Sequence, residues 1–431
     1  MIRIVLILCF GICVTGASAQ ELTLDDAISI ALKNNLGIRI AHSAVNIAEI
    51  NNSYGIAGGL PFVQGTASGT QQLTSINQKY SNPANNKNSN NARSTNFSAG
   101  LSADILLFNG GRVVNAKNRL EETELQSRQL LDSRVQNLMY NVMLKYYDIV
   151  RQQSYAGTLA ASIAASQQRL DIVKKQQAVG VANDADLFQS QVDLNTQIQN
   201  LQAQQLVVDQ GKTDLLTLLT LKPDSVVLIR DTILVDMNMQ LDSILVAISQ
   251  NPDVQAAYQQ VSINQYVEKE IGAQRYPSLL LNAGYNFSHT QNAAGFSLLN
   301  QSYGPYIGLG LTIPIFNGNI YKKQQQVAGI NVKMAGLERD TLLLGINASA
   351  VKGWQAYRNN LKQLETAKAN YDLSQKLLDL VLKRFQYKQA TIVEVKNAQQ
   401  SFENAGYLMI NVSYAAKVSE IQLRRLANRL P

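Results

Sequence analysis

A long helical pattern without proline, followed by a second helical segment, constrains this chain more than any other feature. From Phe108 to the small-residue turn at 178–182 there are roughly 70 residues, so at about 1.5 Å per residue the helix would be on the order of 100 Å long. A hairpin of that length cannot bury its seam inside one compact domain, so it must pack against a second hairpin. The seam has a coiled-coil spacing on both limbs: Leu131, Val135, Leu138, Val142, Tyr146 and Ile149, then Leu187, Leu194, Leu201 and Val208.

The second half of the chain repeats the first. Segments of the helical arms recur 208 positions later, and segments before the strands recur 216 positions later. The arms therefore have equal lengths, and a duplication this long predicts two structural repeats. The matched pairs are Phe108-Asn109-Gly110 with Phe316-Asn317-Gly318, 183–186 with 391–394, 31–35 with 247–251, and Pro61 with Pro277.

The duplication and the local patterns predict the organisation of the whole chain. The first repeat, 20–220, comprises a helical region at 24–59 broken near Asn35, strands at 62–73 and 97–108, a long helix at 109–178 and a return helix at 184–220. An Asn-rich loop is expected at 75–96. A linker between the two repeats is expected at 221–240, lying against the helical body near its equator. The second repeat, 241–431, comprises a helical region at 241–275, strands at 277–287 and 306–316, a long helix at 317–387 and a return helix at 391–428.

The N-terminus has the pattern of a secretory signal peptide. Arg3 precedes an apolar run at 4–14, and Ala17-Ser18-Ala19 supplies a cleavage site, so 1–19 is expected to be removed. Both cysteines, Cys9 and Cys13, lie inside it. The mature chain would therefore hold no disulfide and no cysteine-ligated metal. Neither cysteine follows a small-residue box late enough to predict a lipid anchor.

The rest of the composition excludes several classes of function. The net charge of +7 is spread along the helices without a basic stripe, so nucleic-acid binding is not expected. His42 and His289 lie far apart and neither belongs to a ligand or triad pattern. The sequence therefore shows no constellation that supports a hydrolase, and it predicts no cofactor and no metal site.

The strands alternate apolar residues with small or polar ones, and each predicted strand has about the length of a tilted outer-membrane strand. Four strands cannot close a barrel, because the smallest single-chain barrels have about eight and lipid does not tolerate an open edge. A trimer would supply twelve strands. A β-subdomain of a soluble protein stays open as the alternative for these strands.

Several motifs together resemble the TolC-like outer membrane efflux protein family over essentially the whole mature chain. They comprise the opening of the mature chain, both strand-to-helix junctions and both helical tips. The motifs are Leu22-Thr23-Leu24-Asp25-Asp26-Ala27, Leu107-Phe108-Asn109-Gly110-Gly111-Arg112, Pro314-Ile315-Phe316-Asn317-Gly318, Val179-Gly180-Val181 before Asp186, and Arg384-Phe385 with Val393-Glu394-Val395.

The resemblance implies a mostly α-helical homotrimer. Its long antiparallel hairpins form a helical barrel with a large part in the periplasm, and its strands form a twelve-stranded barrel in outer-membrane lipid. Such a channel-tunnel is not an enzyme. It accepts substrates from an inner-membrane RND or ABC transporter through a periplasmic adaptor protein, in efflux or type I secretion. The alternative from another class is a soluble periplasmic coiled-coil scaffold or adaptor.

The resemblance also assigns residues at the tips. Glu394 and Asp186 match the family's tip acids, which narrow and charge the periplasmic aperture, whereas Asn397 replaces a second acid found in some members. The alternative is that Asp184, Asp186 and Glu394 only stabilise the first turns of the return helices.

Two further sets of tip residues follow from the same resemblance. Ala390 and Phe385 occupy the positions where some relatives carry a latching Arg and Tyr, so that latch is absent here. Adaptor docking is expected at Val179, Gly180 and Val181 on the first tip, and at Lys388 and Gln389 on the second, where the family usually has glycine and an apolar residue.

Overall fold

The computed structural model describes residues 20–295 and 297–431, and the predicted signal peptide at 1–19 lies outside this range. The chain is mostly helical and carries one four-stranded sheet. In chain order the elements are β1 (Gln20–Glu21), α1 (Leu24–Asn34), α2 (Leu36–Asn51), β2 (Phe62–Gln78), β3 (Lys87–Phe108), α3 (Arg112–Ala178), α4 (Asp184–Leu218), β4 (Val227–Leu228), α5 (Leu241–Ala247), α6 (Pro252–Ala273), β5 (Ser278–Asn292), β6 (Leu299–Thr312), α7 (Ile320–Gln386) and α8 (Ile392–Leu426).

The long helices reproduce the duplication in their lengths. α3 and α7 each have 67 residues, and the return helices α4 and α8 each have 35. The first and last residues of α3 and α4 recur 208 positions later as those of α7 and α8. Both long helices begin three residues later than predicted, because Gly110 and Gly318 adopt positive φ (both +67°) between strand and helix. Among the described residues, no helix is long and apolar enough to cross a bilayer.

The shorter helical regions end earlier than predicted. The first ends at Asn51 and not at 59, and residues 52–58 form turns in which Gly58 adopts a φ of +80°. The break near Asn35 is present, and its side-chain oxygen accepts the backbone N–H of Gly37 at 2.8 Å. In the second region a single 3₁₀ turn, Ile248–Gln250, separates α5 from α6, which ends at Ala273.

The sheet has the order β2-β3-β5-β6, and every neighbouring pair is antiparallel. Its strands differ from the predicted spans, and most of the expected loop at 75–96 is strand. The loop prediction was wrong because cross-strand backbone pairs such as Asn77↔Asn88 override the turn preference of asparagine. In the second hairpin β5 runs on to Asn292, whereas β6 ends at Thr312, shortly before Pro314, which has no N–H to donate.

The chain divides into two compact units. The first comprises 20–41, 131–252 and 343–431, and the second comprises 42–130 and 253–342. The predicted seam lies in the core of the first unit, where Val142, Tyr146 and Ile149 are almost completely buried. The second unit holds the sheet and its flanking helical segments, which are tied together by an ion pair of 2.6 Å between Arg119 and Glu270.

Buried polar groups hold the linker at 221–240 against the helices of the first unit. The Tyr146 hydroxyl donates to the Leu22 carbonyl at 3.0 Å and also bonds to the Asp231 carboxylate. Burial raises the pKa of Tyr146, and the bond to Asp231 raises it further. Glu420, which is 2% exposed, accepts the Asp236 backbone N–H at 3.0 Å and pairs with Lys417 and Arg424, both at 3.1 Å. The linker is therefore fixed by hydrogen bonds as well as by apolar packing.

Replacing Glu420 by Gln should destabilise the first unit by about 3–5 kcal/mol, because buried Lys417 would lose its counter-charge. Thermal unfolding of the detergent-solubilised protein measures this loss. Glu365→Gln, at an exposed position on α7, is the matched control and should change the free energy of unfolding by less than about 0.5 kcal/mol. Equal effects of the two substitutions would contradict a structural role for Glu420.

Candidate functional site

The first helical tip is a short turn closed by backbone hydrogen bonds. Gly180 has a φ of +76°, and the Val181 N–H donates to the Gln176 carbonyl at 2.8 Å. Asn183 caps α4 by accepting the Asp186 backbone N–H at 2.7 Å. Val179 and Val181 are exposed, and no atom lies within 4 Å of a Cβ placed on Gly180. The three residues predicted to dock an adaptor therefore form one accessible apolar surface.

The second tip has the same geometry with different chemistry. Lys388 stands 208 positions after Gly180 and also adopts positive φ, +62°. A side chain in this conformation costs about 1–2 kcal/mol relative to ordinary backbone. Arg384 stabilises the turn by donating from Nη2 to the Gln389 carbonyl at 2.8 Å. Lys388 and Gln389 are exposed, so this tip presents a polar, cationic surface.

The acids of the tips lie in the first turns of α4 and α8. Thr391 and Glu394 form a capping box in which the Thr391 N–H donates to the Glu394 carboxylate at 2.6 Å and the Glu394 N–H donates to the Thr391 hydroxyl at 3.2 Å. The bond from the Thr391 backbone, and then that from its side chain, lower the pKa of Glu394. Glu394 is thus an exposed, ionised carboxylate that also caps its helix. Its role at an aperture stays a prediction.

The positions expected to lack a latch belong to the hydrophobic packing at the tip. Phe385 is buried in a cluster with Val395 and Phe402, and Ala390 packs against that cluster. Asn397 is exposed on α8, and its carbonyl accepts the Ser401 hydroxyl at 2.8 Å. Apolar contacts therefore occupy both positions.

A buried polar network above the second tip was missed by the sequence analysis. Arg169 on α3, 1% exposed, donates to Asp193 on α4 at 2.9 Å, and Lys396 on α8 pairs with the same carboxylate at 3.1 Å. Gln399 donates to the hydroxyls of Ser162 and Ser166 at 2.6 and 2.8 Å. Burial lowers the pKa of Arg169 against the opposing effect of Asp193. The sequence did contain one signal for this network. Ser162, Ser166 and Arg169 are spaced by four and three residues, which places a charged residue in the seam of a helix.

The two faces of the sheet differ in chemistry because side chains alternate along paired strands. One face is apolar and largely exposed, and the other is mostly small and polar. The apolar face carries Val63, Leu101, Ile105, Leu281, Tyr285, Phe287, Ile307, Leu309 and Leu311. The polar face carries Gln64, Thr66, Ser68, Ser98, Ser102, Asp104, Asn282, Asn286 and Thr312.

Hydrogen bonds and a close glycine contact organise the polar face. The Ser68 and Ser98 hydroxyls lie 2.7 Å apart across β2 and β3, and Thr290 donates to Asn96 at 3.0 Å. A Cβ at Gly284 would lie 2.8 Å from the Tyr306 ring, so glycine is needed for that ring to lie on the sheet. The four strands contain one acid, Asp104, which lies on this face.

The two faces of the sheet suit the passage of solutes and the assembly of copies more than they suit catalysis. The polar face offers hydroxyl and amide groups along a sheet whose other face suits lipid. Among the residues that the structure describes, no group of three His, Cys, Asp or Glu side chains could hold a metal ion.

Comparisons with known proteins agree with this architecture. The crystal structure of CusC, a protein of Escherichia coli (strain K12), superposes with a TM-score of 0.77 at 19% identity, covering 94% of this chain and 92% of that one. The crystal structure of VceC from Vibrio cholerae gives a TM-score of 0.76 at 15% identity, covering 94% and 95%. These structures share the fold of this chain.

Sequence comparison supplies the family. The chain is 21% identical over 431 residues to the outer membrane efflux protein BepC of Brucella suis biovar 1 (strain 1330), an alignment covering 98% of this chain and 89% of the relative. The sequence model of the family described as "Outer membrane efflux protein" matches residues 27–220 and 244–429. This match covers well over half of the chain. The chain therefore belongs to the outer membrane efflux protein family and is an outer-membrane efflux protein of the TolC type, not an enzyme.

Proposed function

We propose that three copies of this chain form a channel-tunnel that conducts substrates through the periplasm and across the outer membrane. The observation that carries the proposal is the four-stranded sheet, which has an exposed apolar face and two edge strands. Within the described residues, β2 and β6 each pair with a single strand. The backbone N–H and C=O groups on their outer sides need partners before the sheet can enter lipid.

Closure into a barrel satisfies both edges and both faces. Twelve strands from three copies place the apolar face against lipid and the polar face around an aqueous lumen. Because the two edges belong to different strands, the contact is heterologous, and rotation about a three-fold axis closes it into a ring. The homotrimer that the family resemblance implies thus accounts for the chemistry of this sheet.

The helices of the first unit carry a second unpartnered surface. α3 contacts α4 through the Arg169–Asp193 pair, and α3 contacts α8 through Tyr155 and Tyr407, whose ring centroids lie 5.1 Å apart. These contacts leave large apolar side chains of α4 and α7 exposed: Phe188, Val192 and Leu206 on α4, and Leu373, Leu377 and Leu380 on α7. Exposed apolar stripes on long helices favour helix association with neighbouring copies.

The tips support docking to a transport system. The apolar turn at 179–181 and the cationic turn at 388–389 offer two distinct surfaces, which suits a periplasmic adaptor bound to an inner-membrane transporter of the RND or ABC class. The transporter would supply the energy, because a passive duct of this kind has no chemistry of its own. Periplasmic placement of the hairpins follows from the same proposal.

The tip acids would set the charge of the aperture. Around a three-fold axis, Glu394 from each copy gives a ring of three carboxylates, and Asp186 gives a second, less exposed ring. Rings of acids focus negative potential and favour cations. Asn397 contributes no charge, so the selectivity at the tip would depend mainly on Glu394.

Native mass spectrometry of the protein extracted from outer membranes in detergent tests the assembly. The expected result is a single species with three times the mass of the mature chain, because twelve strands close the barrel. A stable monomer or a dimer under the same conditions would overturn the proposal.

Replacing Glu394 by Gln should reduce the cation preference of single channels in planar bilayers. Glutamine can still accept hydrogen bonds in a capping box, so the substitution removes the charge and keeps the cap. The reversal potential in a salt gradient is the measurement. Glu365→Gln, on α7 about 30 Å of helix away from the tip, controls for charge loss elsewhere. An unchanged reversal potential in Glu394→Gln would remove the proposed role of this residue.

A further inference from the structure

The two β-hairpins of the chain have the same register. Phe62 pairs with Asp104 in the first hairpin, and their repeat equivalents Ser278 and Thr312 pair in the second. The equivalence uses the offsets read from the sequence, 216 for β2 to β5 and 208 for β3 to β6. The eight-residue difference between these offsets falls in the hairpin loops. The duplication is therefore exact in hydrogen-bonding register as well as in order.

A third strand pair joins the two repeats inside one chain. β3 of the first repeat pairs with β5 of the second, with Leu101 opposite Tyr285 and Asp104 opposite Asn282. The free edges are the repeat equivalents of these two strands, because β6 corresponds to β3 and β2 corresponds to β5. Since β3 pairs with β5, the free edge of β6 needs a strand equivalent to β5. The free edge of β2 in another copy is such a strand.

We infer that β6 of one copy pairs with β2 of the next in the register of the internal β3–β5 seam. This inference rests on the proposed trimer and specifies its contact. Applying the two offsets places Thr312 opposite Thr66 of the partner subunit, and Leu311 opposite Ala67 of the partner subunit. The apolar and polar faces remain continuous across this seam, because a shift by an odd number of residues would exchange them.

The strand-to-helix junctions give independent support within the second unit. Gly110 and Gly318 are repeat equivalents with the same φ of +67°. A Cβ at Gly110 would lie 2.7 Å from the Ala273 carbonyl oxygen and 2.7 Å from Tyr276 Cβ, whereas no atom lies within 4 Å of a Cβ at Gly318. The first junction is packed against the second repeat, and the second junction has an empty flank. The repeat equivalents of Ala273 and Tyr276 are Ala57 and Leu60, which the partner subunit would supply there.

Side-chain chemistry at other equivalent positions agrees. The internal ion pair between Arg119 and Glu270 corresponds to Val327 and Tyr54, which are apolar and more than half exposed. In the first unit, buried Arg169 corresponds to exposed Leu377, and Lys396 corresponds to exposed Phe188. Polar contacts inside the chain are thus replaced by exposed apolar groups where a second copy is expected.

Disulfide cross-linking tests the register. The mature chain is expected to have no cysteine, so paired substitutions Thr66→Cys with Thr312→Cys, and Ala67→Cys with Leu311→Cys, report only the introduced contact. One of two consecutive antiparallel pairs is a non-hydrogen-bonded pair with Cα atoms about 4.5 Å apart, within disulfide reach. Within one chain these residues lie on opposite edges of the sheet, at least about 14 Å apart across three strand spacings, and cannot form the bond.

The expected result is that, for at least one of these pairs, oxidation of outer membranes shifts most of the protein to linked dimers and trimers on non-reducing gels. Thr70→Cys with Thr312→Cys is the matched control, because it moves the same chemistry four residues, about 13 Å, along the same face. Each variant is compared with its reduced sample, which shows that the linked species are disulfides, and with its single-cysteine parents, which shows that both cysteines are needed. All samples are loaded at equal levels of the protein in the outer membrane.

The outcomes separate the inference from the proposed function. Linked species in the control pair but in neither register pair would overturn the register while leaving the trimer in place. Absence of linked species in all three pairs, with trimers still present by native mass spectrometry, would also overturn the register. Absence of trimers altogether, in the wild-type protein as well, would overturn the proposed function.

Discussion

The hydrogen-bonding capacity of two strand edges governs the organisation of this protein. β2 and β6 present backbone donors and acceptors along their outer sides, and hydrocarbon offers no partner for them. Water could satisfy these groups, but the adjacent face of the sheet is apolar and exposed from Val63 on β2 to Leu309 on β6. Lipid suits that face and excludes free edges. Pairing the edges of neighbouring copies resolves both requirements.

The duplication explains how a single chain can supply a ring with equivalent contacts. Repeat one meets repeat two inside the chain, and repeat two meets repeat one of the next copy in the proposed assembly. The two seams use different chemistry at equivalent positions. Inside the chain, Lys396 of the second repeat pairs with Asp193 of the first, whereas Phe188, the repeat equivalent of Lys396, is exposed. An ion pair requires close geometric control, whereas apolar stripes tolerate the assembly of separate copies.

Much of the fold was predictable from the sequence, because the second half of the chain repeats the pattern of the first. Equal arm lengths and the seam at Val142, Tyr146 and Ile149 followed from spacing alone, and the structure places that seam in the core. Strand lengths were not predictable, since the Asn-rich hairpin end forms strand through backbone pairing, which composition does not report. Arg169 was missed because its partner Asp193 becomes a neighbour only after the hairpin folds. The capping role of Glu394 was foreseen as an alternative, and its proposed role at the aperture depends on neighbouring copies.

The most direct test of the account asks which face of the sheet contacts lipid. The chain has one tryptophan, Trp354, so a Trp354→Phe background allows single tryptophans to be placed at Leu281 and at Asn282, consecutive positions on opposite faces of β5. In vesicles with brominated acyl chains, fluorescence from the tryptophan at 281 should be strongly quenched, and that from the tryptophan at 282 should not. Equal quenching at both positions, or quenching only at 282, would contradict an apolar face in lipid around a polar lumen.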